Sequence, residues 1–197
     1  ASDVYKRQVR SSAEGTYYLK TTKNRNLKAE LKNIPEPMVL KGDWEVRFDP
    51  INSLSPFQEK FIKLESWSRH PDERVKYFSG TATYRKTVKI PKENLREGIE
   101  VILDLGKVRD LAEVFVNGQS TTVLWHMPYI CDITKNVKKG NNVIEIAVTN
   151  TWANRLIGDE QYPDDCEWGN SVLFHRVNEY GAVSYTHLRA HETGAYL

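Results

Sequence analysis

The sequence predicts an all-β protein, an antiparallel β-sandwich or jelly roll. Three observations carry this reading. Runs of alternating apolar and polar residues recur at intervals of roughly ten residues. The runs are separated by Asn- and Gly-rich turns, and no segment repeats strand then helix as a parallel α/β sheet would require.

The first two runs, TYYLKT at 16–21 and LKAELKN at 27–33, are joined by Asn24, Arg25 and Asn26 and read as a hairpin or sheet edge, ended by IPEP. In GDWEVRFD, 42–49, Trp44, Val46 and Phe48 alternate with charged residues, as a half-buried strand requires. The stretch that follows is loop-rich, with a short strand predicted at 60–64 and a polar turn around Pro71 and Asp72 between Trp67 and Tyr77. From Gly80 the strands become consecutive. TATYRKTVKI places Ala82, Tyr84, Val88 and Ile90 on one face; Lys86 breaks the pattern and either snorkels or lies beyond the packed centre of the sheet. IEVILDLG and LAEVFVNG alternate in the same way. Asn117-Gly118 is a strong hairpin signal, because a type I′ turn needs positive φ at both central residues. QSTTVLW is the return strand, Asp132 is placed to cap the turn at 134–138, and VIEIAVTN completes the series.

Composition narrows the function. With 28 Lys+Arg against 26 Asp+Glu the net charge is +2, too small for the single-sign field of a nucleic-acid binder. No apolar run reaches the roughly 20 residues of a membrane helix. Cys131 and Cys166 are too few for a disulfide scaffold, and one pairing between them stays open. His70, His126 and His175 share no ligand spacing, so no metal or other cofactor is expected. No dinucleotide, P-loop or nucleophile-elbow motif occurs.

Both ends read as translated DNA adapter. ASDVYKRQ, 1–8, corresponds to the end of a transposase sequencing adapter, and the segment 183–197, beginning VSYTHLRAHET, starts with the opposite strand of the paired element. The expected organisation is therefore adapter at 1–8, the end of a preceding domain or an edge hairpin at 9–40, a sandwich at 42–168, the start of a following segment at 169–182 and adapter at 183–197. On this reading the natural part is a piece of a longer reading frame.

The ordered set FSGTATYRKTVKIP (78–91), LDLGKV (103–108), AEVFVNG (112–118), LWHMPYICDIT (124–134) and KKGNNVIEIAVTNTW (138–152) resembles the sugar-binding, galactose-binding-like jelly roll of glycoside hydrolase family two. The flanks GDWEVRFD, LESWSRH and NTWANRLIGDEQYPDDCEW are similar to the C-terminal region of large bacterial α-L-rhamnosidases of the family 106 type. The resemblance implies a noncatalytic accessory domain of a secreted or periplasmic polysaccharide-degrading enzyme. Its partners would be carbohydrate and the catalytic domain of the same polypeptide. An autonomous carbohydrate-binding module is the alternative.

Glycoside hydrolysis usually needs two carboxyls facing one bond. The one dense acidic cluster, Asp159, Glu160, Asp164, Asp165 and Glu167, offers candidates for substrate contact but equally reads as a solvated loop. Its hard oxygen ligands make calcium conceivable, without EF-hand spacing. No catalytic residue is assigned. In NTWANRLIGDE, Asn150, Asn154 and Arg155 supply directional hydrogen bonds and Trp152 a flat apolar face, the groups a sugar site or a domain interface uses, alongside Asp159 and Glu160. The bland alternative packs Trp152 under the loop and pairs Arg155 with Asp159 or Glu160. Trp125, His126 and Tyr129, beside Pro128, form a second candidate patch.

Overall fold

A computed structural model describes residues 10–20, 22, 24–50 and 55–161. Its strands are antiparallel throughout. β1 (Gly15–Lys20) and β2 (Asn26–Leu31) form the expected hairpin as a separate two-stranded sheet. The main sheet contains β3 (Trp44–Pro50), β4 (Phe57–Phe61), β5 (Gly80–Ile90), β7 (Leu111–Val116), β8 (Gln119–Leu124) and β10 (Gly140–Thr149), in the order β4-β3-β5-β10-β7-β8. β6 (Ile102–Asp104) and β9 (Ile130–Asp132) pair as a small second sheet. Leu103 and Cys131 of the small sheet share one buried cluster with Trp44, Tyr84, Val114 and Ile144 of the large one, which makes the two sheets the layers of a sandwich.

The period-2 patterns set the faces. Ala112, Val114 and Val116 of β7 and Ile144, Ile146 and Val148 of β10 all point inward, and the register pairs Ile146 with Val114 and Tyr84. Lys86 occupies an inward position but sends its ammonium out to the carbonyl of Asp43 at 2.7 Å, over the Trp44 ring. Asn117 and Gly118 adopt φ of 53° and 79°, as the predicted turn demands. The Asn117 side chain then serves a second purpose. Its Oδ1 accepts from the amide of Val143, and its Nδ2 donates to the carbonyl of Asn136 and to Oδ1 of Asn142. Buried Asn142 completes the set, its Oδ1 accepting from Lys138 N and its Nδ2 donating to the carbonyls of Lys138 and Gly140. These bonds tie the hairpin to the start of β10, and none of the four hydrogen-bonding sites on Asn142 is left empty.

Two elements differ from the sequence reading. The strand expected at 60–64 is β4, Phe57–Phe61, because that register sets Phe57 opposite Phe48, with the two rings stacked at 4.8 Å. Trp67 and Phe78 pack edge-on against Phe48, and Trp67 Nε1 donates to the Tyr84 hydroxyl at 2.5 Å. The polar turn after Trp67 contains a helical turn, α1 (Glu73–Lys76), capped by Asp72 accepting from the amide of Arg74. The second difference is α2 (Ala153–Asp159), a helix where the sequence suggests loop. At its Gly158 a Cβ would stand 2.7 Å from the Cβ of Tyr77, so only glycine lets α2 approach the residue that ends α1.

Candidate functional site

Strand register brings both candidate patches to one end of the large sheet. Thr149, the last residue of β10, pairs with Leu111, the first of β7, and Ala112 pairs with Leu124, the last of β8. Asn150 and Trp125 therefore leave the sheet from the same rim, two strand spacings or about 10 Å apart.

At the β10 end, Asn150 is buried. Its Oδ1 accepts from the amide of Gly80 at 3.0 Å and its Nδ2 donates to the carbonyl of Phe78 at 2.9 Å, so the carboxamide clamps β5 to β10. Asn154 is buried as well, and its Nδ2 has no hydrogen-bond partner. Arg155 and Asp159 face each other one helical turn apart at 3.7 Å, with only 16% and 12% of their side chains exposed. This is the pairing that the sequence left open, and burial removes Asp159 from the solvated loop envisaged for it. Trp152 does not pack under the segment: it is 41% exposed at the start of α2, and Glu160 is exposed at the other end of that helix. Asp164, Asp165, Glu167 and Cys166 lie outside the described residues.

At the β8 end the three aromatic candidates separate. Trp125 is 71% exposed, with the His126 ring edge-on to it at 4.6 Å, and His126 Nδ1 lies 2.9 Å from the carbonyl of Met127. Tyr129 turns inward and is 2% exposed, its one hydroxyl proton shared between the carbonyls of Asp110 at 2.8 Å and Arg109 at 3.1 Å. Burial and the charge of Asp110 raise its phenol pKa. The ring thus anchors the loop that displays Trp125. Sequence reasoning missed the exposed neighbours Leu111, Val123 and Met127; the signal available was the lack of any charge from Gln119 to Leu124.

Two other features offer chemistry. An apolar cleft of about 600 Å³ lies between the sheets, walled by Trp44, Tyr84, Leu103, Ile133 and the segment 34–40, with Glu36, Glu100 and Asp104 also lining it. Cys131 is a buried free thiol whose pKa burial pushes up to about 11, which suppresses the nucleophilic thiolate. Among the described residues, no three His, Cys, Asp or Glu side chains converge as a cation site would require.

Comparison with known proteins gives a consistent picture. A family model described as "Glycosyl hydrolase 2 galactose-binding domain-like" matches residues 58–191. The chain is 42% identical over 153 residues to a candidate beta-glucuronidase of Formosa agariphila, covering 78% of this chain and 13% of that protein. It is 34% identical over 86 residues to a beta-glucuronidase of the same organism, covering 41% of this chain and 8% of the relative. A solved rhamnosidase from Novosphingobium sp. PP1Y superposes with a TM-score of 0.59 at 38% identity, covering 71% of this chain and 14% of the rhamnosidase. The chain therefore spans only 8% to 14% of the length of these proteins.

Proposed function

The chain belongs to the glycosyl hydrolase 2 galactose-binding domain-like family, and from that premise we propose that it is a noncatalytic accessory β-sandwich of a bacterial glycoside hydrolase. In this reading the sandwich packs on the catalytic domain of a secreted or periplasmic enzyme that degrades plant or other polysaccharides, and lines one side of its sugar site. The observation that carries the reading is the match of 71% of this chain, at 38% identity, to 14% of a rhamnosidase. The site geometry agrees with it. Asn150 is committed to the backbone and Arg155 to Asp159, which leaves Trp152 and Glu160 as the groups of this segment able to reach a sugar from the rim. The parent's substrate is a rhamnoside or a glucuronide, the two sugars named by the relatives.

The exposure of Trp125 and Trp152 favours a second reading, an autonomous carbohydrate-binding module, because an aromatic face open to solvent can stack on the C–H face of a pyranose. Titration of the chain with rhamnose, glucuronic acid and plant oligosaccharides, followed by tryptophan fluorescence, separates the two. The accessory-domain reading predicts no saturable response up to millimolar saccharide. A saturable response abolished by Trp125→Ala or Trp152→Ala establishes the module instead.

A further inference from the structure

We infer that β8, an edge of the large sheet among the described residues, and the Trp125–Met127 corner form the seam against an apolar face of another domain of the same polypeptide. This inference rests on the accessory-domain reading and locates the contact it requires.

The two edges of the large sheet are built differently. β4 carries Glu59 and Lys60, which pair with Arg74 and Asp43, and charge of this kind keeps an exposed edge from recruiting further strands. β8, an edge among the described strands, has no charged residue from Gln119 to Leu124. Its outer side turns apolar at the C-terminal end. Glu113, which the register sets opposite Val123, accepts from the Ser120 hydroxyl. Beyond it, exposed Val123 and Trp125 alternate with inward Leu124. Continuing the register past its last pair, Ala112 with Leu124, sets Leu111 across from Trp125, giving an exposed group that Met127, 72% exposed, extends at the corner. Such an unguarded edge with exposed apolar side chains is a liability in water and is normally covered.

The occupant follows from the chemistry of the border. Besides its aromatic plate, a sugar site needs donors and acceptors for hydroxyls. Around Trp125 the neighbours are two aliphatic chains, a thioether and an edge-on His126 whose Nδ1 is engaged with the Met127 carbonyl, while Glu113, opposite Val123, already accepts from the Ser120 hydroxyl. Trp and Met are enriched where proteins meet proteins. The corner is also held rigid, by β8 on one side and by buried Tyr129 on the other, so little order is lost on docking. The relatives supply the partner: this chain matches 13% of one and 14% of another, and the remainder of such a polypeptide is available to cover the seam.

The test compares amide exchange in the 197-residue chain and in the complete polypeptide recovered from source DNA. Amides of residues 119–127 should exchange at least about tenfold more slowly in the complete polypeptide, and the pair Val123→Lys, Trp125→Glu should abolish that protection. The same pair should leave the urea midpoint of the 197-residue chain nearly unchanged, which separates a lost seam from a lost fold. Equal exchange at 119–127 with new protection at β4 or on β6 and β9 overturns this seam and leaves the accessory-domain reading standing. A reading frame with no further domain, or no new protection anywhere, overturns both. Protection of the 197-residue chain that appears only with added rhamnose or glucuronic acid, or only at high protein concentration, also overturns the seam, in favour of a sugar platform or self-association.

Discussion

Asn150 offers the sharpest division between a sugar contact and a structural clamp. Its carboxamide makes two buried hydrogen bonds, to the amide of Gly80 and the carbonyl of Phe78. Replacement by Ala removes both and strands two buried backbone groups, each costing about 1–3 kcal/mol when unmatched. Water can re-satisfy part of that loss, so Asn150→Ala should cost about 2–4 kcal/mol, a large share of the roughly 5–15 kcal/mol that holds a domain together. The assay is urea unfolding followed by tryptophan fluorescence, with an unchanged m-value showing that the unfolded state is the same. Asn150→Asp adds a pH signature. The new carboxylate still accepts from Gly80 but faces the Phe78 carbonyl, so its folded pKa rises above the ordinary carboxylate value. Stability relative to the parent chain should therefore recover as pH falls and the protonated carboxyl donates to Phe78. A loss below about 0.5 kcal/mol for Asn150→Ala, with no pH dependence for Asn150→Asp, refutes the clamp and returns Asn150 to the sugar-contact candidates.

Three further outcomes follow from the same geometry. Tyr84→Phe strands the buried indole N–H of Trp67 and should cost about 1–3 kcal/mol in urea unfolding. Gly158→Ala drives a methyl against the Cβ and ring of Tyr77 and should cost about 1–3 kcal/mol, with most of the loss relieved in a Tyr77→Gly background, which removes that Cβ; simple additivity of the two changes would refute the contact. At alkaline pH the Cys131 thiol, raised by burial from 9.0 to about 11, stays protonated in the folded chain while the unfolded chain ionises. Its contribution is complete below about pH 9 and is lost as pH rises through 11, at most about 2.7 kcal/mol for two units. Buried Tyr84, whose pKa is also raised, adds to the decline above about pH 10, and Cys131→Ala should flatten the profile of urea midpoint between pH 9 and 10.

Much of this fold was legible because its strands are half-buried. Period-2 alternation placed Val46, Tyr84, Val114 and Ile146 inward from sequence alone, and Asn117-Gly118 declared its turn through backbone chemistry that few residue pairs satisfy. What escaped depended on tertiary contact. The β4 register was fixed by Phe57 stacking on Phe48, and α2 is a short helix held by the approach of Gly158 to Tyr77, neither of which has a local signal. The candidate patches show the same limit. Trp125 and Tyr129 are both aromatic and only four residues apart in one loop, yet one faces solvent and the other forms core. Asn150 and Arg155 carry the chemistry of a sugar site, but here the one clamps two strands and the other faces Asp159; only the partners, not the residue types, could show that.

On the proposed reading this sandwich serves a glycosidase without performing the hydrolysis. Initial rates on 4-nitrophenyl α-L-rhamnopyranoside and 4-nitrophenyl β-D-glucuronide, taken for the purified chain and for the complete polypeptide at equal concentration, test it directly. The chain should give the uncatalysed rate, and the complete polypeptide should turn over one of the two substrates. Turnover by the chain alone, or a complete polypeptide that hydrolyses no glycoside, would contradict it.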